Sequence, residues 1–134
     1  MQTFLPYPDF RRSAAVLDMR RLGKQRVEAR QILNTLQGLS LGWVNHPAVK
    51  MWRGHEKALA EYGEVICKEW ISRGYKDTLL GSFHMDGSDV ITYPSWFGQE
   101  EFHLAHRSKL LYKDPDWYYP FFGELPVLEY VWPV

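Results

Sequence analysis

Asp18-Met-Arg-Arg-Leu-Gly-Lys-Gln-Arg-Val-Glu-Ala-Arg-Gln-Ile-Leu33 carries both a helical period and a concentrated cluster of charge. Leu22, Arg26, Ala29, Leu33 and Leu36 recur at alternating steps of four and three, with Ile32 alongside, so one stripe faces a core. Ser13 and Asp18 are both acceptable N-caps, and the helix is expected to run to the neighbourhood of Gly38. Arg21, Lys24 and Glu28 fall on a different stripe, and Glu28 is a lone acid among Arg20, Arg21, Lys24, Arg26 and Arg30. Basic side chains alone serve an anionic partner, whereas an acid among them lowers that affinity and needs a separate reason. That reason is either catalysis or a helix ion pair. As an ion pair, Lys24 and Glu28 stand in the less favourable order and contribute only a few tenths of a kcal/mol.

A second helix is expected over residues 47–72, opened by Pro47 and closed before Gly74. Trp52, His55, Leu59, Tyr62, Ile66 and Trp70 form its apolar stripe, which reads as core packed against the first helix. Between Gly74 and Pro94 no period is sustained, and the segment containing Asp86-Gly-Ser-Asp89 reads as a long irregular connection. A third helix spans Gln99 to Lys113. The tail Asp114-Pro-Asp-Trp-Tyr-Tyr-Pro-Phe-Phe-Gly-Glu124 looks too broken by proline to continue it. Val127, Leu128, Tyr130, Val131 and Trp132 fit a short terminal strand or an extended strap. The expected fold is all-α: a compact single domain over residues 1–134, with three main helices, long irregular connections and an extended aromatic C-terminal tail.

At 134 residues with 46% hydrophobic and 16% aromatic content, the chain suits one well-filled core. Cys67 is the single cysteine, which excludes an intrachain disulfide. The N-terminus lacks the pattern of a signal peptide and no apolar run approaches the ~20 residues that span a bilayer, so a soluble cytoplasmic protein is expected. The net charge of zero divides unevenly: residues 1–60 contain ten Lys/Arg against four Asp/Glu, and residues 61–134 six against twelve. Such asymmetry fits a one-sided binding surface, or two halves that neutralise each other across their contact.

Metal chemistry has one candidate, because Glu100-x-x-His103 and His103-x-x-His106 share the third helix. Helical di-iron proteins need two Glu-x-x-His segments and this chain has one, while a single cysteine rules out Cys/His zinc clusters. Polar residues on the helix surface are the better account, and no metal or cofactor is expected. Neither a Gly-x-Ser-x-Gly elbow nor a glycine-rich phosphate loop is present, and Cys67 beside an apolar stripe reads as an inert buried thiol. Trp117, Tyr118, Tyr119, Phe121 and Phe122 supply five rings within six residues. Exposed, such rings stack on unpaired bases at ~1–3 kcal/mol each; buried, they cover the core.

Together these segments resemble the pyrimidine-dimer DNA glycosylase family, the group that includes base-excision enzymes of the phage endonuclease V type. Leu17-Asp18, Leu22 and Glu28 are similar to the family's first-helix pattern. Asn45-His46-Pro47, an aromatic helix and Arg73-Gly74-Tyr75 are similar to the middle pattern of bacterial members. Pro115-x-Trp117-Tyr118, then aromatics and Gly123, resembles the C-terminal Trp-Tyr segment. The resemblance runs from the N-terminus to Gly123 and implies a compact all-helical fold.

It also implies a DNA-repair glycosylase and abasic-site lyase acting on damaged pyrimidines in double-stranded DNA, here as a monomer. The chain's α-amine is the implied nucleophile and Glu28 the catalytic acid, kept ionised by its cationic neighbours. An α-amine with a reference pKa near ~8 leaves about a tenth free at pH 7, against about one part in a few thousand for lysine near ~10.4. Arg21, Lys24, Arg26 and Arg30 are the implied phosphate contacts, and Trp117 and Tyr118 those near the damaged base. Three departures stand out. Gln2 is a poor context for methionine removal, so the amine is that of Met1; Val27 and Gln31 replace family arginines; and Pro120 interrupts a Trp-Tyr segment one residue longer than usual. The alternative is a non-catalytic module of the same fold that binds nucleic acid, a nucleotide or a modified base.

Overall fold

The computed structural model describes residues 1–85 and 90–134. It contains α1 (Phe10–Val16), α2 (Met19–Leu36), α3 (Pro47–Lys50), α4 (Glu56–Ser72), a 3₁₀ turn (Leu80–Phe83), α5 (Glu100–Lys113) and α6 (Pro115–Phe122), with no strand among the described residues. None of these helices is long and apolar enough to cross a membrane. The Asp86-Gly-Ser-Asp89 part of the expected irregular connection lies outside the described residues.

Helix α2 starts where its cap dictates. The Asp18 carboxylate accepts from the Arg21 N–H at 3.3 Å, satisfying one of the donors a helix start leaves open. Its buried face includes Leu22, Gln25, Ala29, Ile32 and Leu33, and the helix packs along α4. The core stripe therefore passes through Gln25, not through Arg26 as the spacing alone implied. Arg26 instead lies beside the core, its guanidinium 2.5 Å from Asp77 and 4.6 Å above the Trp70 ring. Two glycines set how closely neighbours approach. A Cβ on Gly63 of α4 would collide with the Phe83 ring, and one on Gly23 of α2 would stand 2.8 Å from Trp70. These bare patches let Phe83 and Trp70 lie against helix backbone.

Residues 47–72 are not one helix. Gly54 adopts φ 85°, a conformation that ends the run after α3, and α4 restarts at Glu56. His55 consequently leaves the core stripe and places Nδ1 3.1 Å from the Thr92 carbonyl. Trp52, just before the break, remains fully buried and meets Trp96 edge-on with ring centroids 5.0 Å apart.

The aromatic tail departs from expectation in the other direction, because it is helical. Asp114 caps α6 by accepting from the Trp117 N–H at 3.3 Å, and Pro115 occupies a first-turn position where no N–H is needed. Pro120 removes one donor in the last turns, and the carbonyl it would have met belongs to Asp116, an exposed residue. Residues 124–134 then run as an extended strap, not as a strand. Cys67 is buried, and burial first, then Asp77, pushes its thiol up to about 12.

His103 and His106 are core residues, not surface polar ones. His106 Nδ1 accepts from the Leu5 N–H at 2.9 Å, and His103 Nδ1–H donates to the Leu5 carbonyl at 2.8 Å. Both rings thus hold the N-terminal segment. Burial pushes the His106 imidazole down to about 3, with His103 adding to the effect. The unfolded chain binds this proton below its ordinary value near ~6.5 while the folded protein refuses it, so stability is lost as pH falls from there toward 3. Thermal unfolding between pH 7 and pH 4 is expected to show this slope. His106→Asn, which keeps an acceptor for Leu5, is expected to lower the midpoint at pH 7 and flatten the slope.

Candidate active site

The first six residues do not lie on the surface. Gln2, Thr3, Phe4 and Leu5 are all buried, and each backbone polar group threaded through the core needs a partner. The Gln25 carboxamide supplies several of them. Its Oε1 accepts from the Phe4 N–H at 2.9 Å and from the Tyr62 hydroxyl at 2.5 Å. Its Nε2 donates to the Gln2 carbonyl and to Glu28 Oε2, both at 2.8 Å. All four hydrogen-bonding positions of this side chain are therefore used. The single Tyr62 hydroxyl hydrogen is shared between Gln25 and the Phe4 carbonyl, 3.0 Å away, and Trp52 Nε1–H donates to Thr3 Oγ1 at 3.1 Å.

One consequence is that the start of the chain and Glu28 share a partner and an environment. Met1, Gln2, Gln25 and Glu28 line a cleft of about 560 Å³, together with Arg20, Arg21, Lys24, Lys113, Tyr130 and Trp132. Burial raises the Glu28 carboxyl above its ordinary range, against the opposing pull of the terminal amine, Lys24, the Gln2 N–H and Gln25. This reverses the expectation that cationic neighbours keep the acid unusually easy to ionise, because loss of water around the carboxylate outweighs them. Tyr130 is pushed up to about 12, first by burial, with Arg21 opposing and Glu28 adding. Its phenol therefore faces both the acid and the arginine.

The cations of the basic helix divide by the side of α2 they occupy. Arg21 reaches Asp18 at 3.1 Å, and Arg20, Lys24 and Lys113 are exposed and form no salt bridge among the described residues. Arg26 and Arg30 do not line the cleft. Arg26 is held by Asp77, and Arg30 donates to Asn34 Oδ1 at 2.9 Å and to the Ser82 carbonyl at 2.5 Å. Tyr118 is fully buried and its hydroxyl binds the Asp18 carboxylate, so its ring has no face for a base. Trp117 keeps an exposed face but anchors Nε1 on the Val16 carbonyl at 2.7 Å. Burial works against the charge on Asp18, yet the Tyr118 hydroxyl and Arg21 outweigh it, and the carboxyl titrates below its ordinary range.

Comparison with known proteins bears on what this cleft is for. The family model described as pyrimidine dimer DNA glycosylase matches residues 1–80, more than half of the chain. The chain belongs to this family. No curated protein and no solved structure gives a match. Family membership assigns the protein to DNA repair at pyrimidine dimers, as the first-helix and middle patterns implied. The matched region contains Met1, Arg20, Arg21, Lys24, Gln25 and Glu28, whereas Lys113, Tyr130 and Trp132 close the cleft from beyond it.

Gln25, Tyr130 and Trp132 were not singled out from the sequence. A signal existed for Gln25, since it stands three residues after Leu22 and four before Ala29, a polar side chain in an apolar register. None existed for Tyr130 and Trp132, which reach the cleft only through the path of the strap. Replacing Gln25 by Leu removes partners from Phe4, Gln2, Tyr62 and Glu28 together. An unsatisfied buried group costs about 1–3 kcal/mol. Chemical denaturation of Gln25→Leu is therefore expected to show a loss of at least about 2 kcal/mol, with hydrogen exchange at Phe4 accelerated beyond that global loss.

Proposed function

We propose that this member of the family is a bifunctional DNA glycosylase and abasic-site lyase that uses the α-amine of Met1 and the carboxylate of Glu28. The observation that supports this most is the shared cleft: the terminal amine is close enough to Glu28 to act on its ionisation, and Gln25 bonds to both segments.

In the first step the amine lone pair forms a bond to C1′ of the damaged nucleotide while the C1′–N bond to the base breaks. The electron pair leaves with the base, which is then protonated. Glu28 accepts the proton lost by the amine and faces the positive charge that develops on the sugar. A carboxylate whose titration is raised by burial is a stronger proton acceptor than an ordinary one, which suits that role. Cleavage of the C1′–O4′ bond, its electron pair going to O4′, which takes up a proton, opens the sugar ring and leaves an iminium ion at C1′. Removal of a C2′ proton then expels the 3′ phosphate by β-elimination, cutting the strand, and hydrolysis frees the amine.

Arg20, Arg21, Lys24 and Lys113 surround the cleft and suit the phosphates beside the lesion, with the exposed cations free to release counterions on binding. Arg26 and Arg30, committed to Asp77 and Ser82, support α2 from its other side. Tyr130 and Trp132 offer aromatic surface to a displaced nucleotide, the part the Trp-Tyr segment was expected to play. Trp117 keeps only an outer role on the duplex.

Single-turnover cleavage of dimer-containing and abasic duplexes tests this. Glu28→Gln is expected to slow both by about 100-fold or more while leaving duplex affinity nearly unchanged. Because burial raises the acid, its charge opposes folding at neutral pH, so the same variant is expected to melt at an equal or higher temperature. A wild-type protein that binds the duplex and never cuts either strand would establish the non-catalytic module instead.

A further inference from the structure

The connection between α2 and α3 exposes four apolar side chains in six residues. Leu39 is 73% exposed, Leu41 87%, Trp43 62% and Val44 41%. Isolated surface leucines need no explanation, but this cluster sits on a braced backbone. Thr35 Oγ1–H donates to the Gly42 carbonyl at 2.8 Å, the Leu39 N–H bonds to the Asn34 carbonyl at 2.8 Å, and Arg53 donates to the Val44 carbonyl at 3.2 Å. Trp43 has φ 63°, and no other non-glycine among the described residues has a positive φ. A tryptophan in that region carries backbone strain that its surroundings must enforce. The loop is thus held in a shape that turns its apolar side chains outward.

Its foot stands at the cleft. The Trp43 ring meets His46 edge-on at 5.8 Å, His46 meets Trp132 at 5.9 Å, and Trp132 lines the cleft with Met1 and Glu28. Burial and then the terminal amine hold the His46 imidazole below its ordinary range, which places that ring within electrostatic reach of the amine. Its Nδ1 accepts from the Ala48 N–H at 3.0 Å, so the ring is fixed from the α3 side. Between Glu28 and Glu56 the chain has no acidic residue, and Lys50 and Arg53 are exposed beside the loop. An apolar tip with cationic flanks, next to a nucleophile for DNA, matches the stacked bases and phosphates of a duplex.

We infer that Leu39, Leu41 and Trp43 form a wedge that enters the base stack of duplex DNA beside the lesion and opens the helix for the cleft. Side chains of this type inserted between base steps unstack and kink a duplex. The inference rests on the glycosylase proposed above, but insertion itself requires no chemistry, and the two can be tested apart.

The probe is a duplex containing a tetrahydrofuran abasic analogue flanked by 2-aminopurine, whose fluorescence rises when it is unstacked. Wild-type protein is expected to raise that fluorescence, and the double variant Leu39→Ser, Leu41→Ser to lose most of the rise. Single-turnover borohydride trapping supplies the second arm. The double variant is expected to trap an abasic duplex about tenfold more slowly, yet to trap a single-stranded abasic oligonucleotide within about twofold of wild type, since an unpaired strand needs no wedge. An unchanged duplex rate with unchanged fluorescence would overturn the wedge, as would equal losses on duplex and single strand. Binding to anionic lipid vesicles that depends on the two leucines, with no fluorescence change on DNA, would assign the loop to a membrane and also overturn it. Should wild-type protein trap no adduct on either DNA, the lyase proposal falls and the fluorescence arm alone decides the wedge.

Discussion

The Gln25 carboxamide is the interaction on which the cleft depends. An N-terminal segment threaded through a core brings peptide groups into a place where each must find a partner, and one side chain with two acceptor sites and two donors meets Phe4, Gln2 and Tyr62 at once. Its remaining N–H goes to Glu28. The same amide that solves a folding problem therefore registers the start of the chain against the acid. His103, His106 and Trp52 extend that grip along residues 3–5, so the position of Met1 is inherited from the core, not from a loop.

That arrangement explains why the electrostatics run opposite to a simple count of charges. Five cations near one glutamate look sufficient to hold it ionised. Yet Arg26 and Arg30 point to Asp77 and Ser82, Arg21 is paired with Asp18, and the carboxyl is partly dehydrated by the segment Gln25 holds over it. The result is an acid displaced upward beside an amine, which is the better state for accepting its proton. Stability is given up at Glu28 and supported elsewhere, by the Tyr62, Trp52 and Phe10 aromatic cluster with centroids 5.5 to 6.5 Å apart.

The long helices were legible because their signals are local. Asp18 caps α2, Gln99 precedes α5, and apolar spacing runs through α4. Boundaries failed where one residue's backbone overrode the pattern: Gly54 divided an apparently continuous helix, and Pro115 opened a helix where proline had seemed to forbid one. In the site, Met1, Arg21, Lys24 and Glu28 do converge, since their spacing on one helix and the threading of the terminus place them together. Arg26, Arg30 and Tyr118 do not, because Asp77, Ser82 and Asp18 claim them from positions 51, 52 and 100 residues away in sequence. No periodicity in a helix announces a partner at that distance. The strap that brings Tyr130 and Trp132 to the cleft is unreadable for the same reason.

In the proposed reaction the fold delivers the α-amine of Met1, and not a lysine, to the reacting sugar. Peptide mapping by mass spectrometry of the borohydride-reduced adduct with abasic duplex DNA tests it most directly. The mass of the reduced sugar fragment on the Met1 α-nitrogen, in the N-terminal peptide, is the predicted result. The same mass on Lys24 or Lys113, with the terminal amine unmodified, would contradict it.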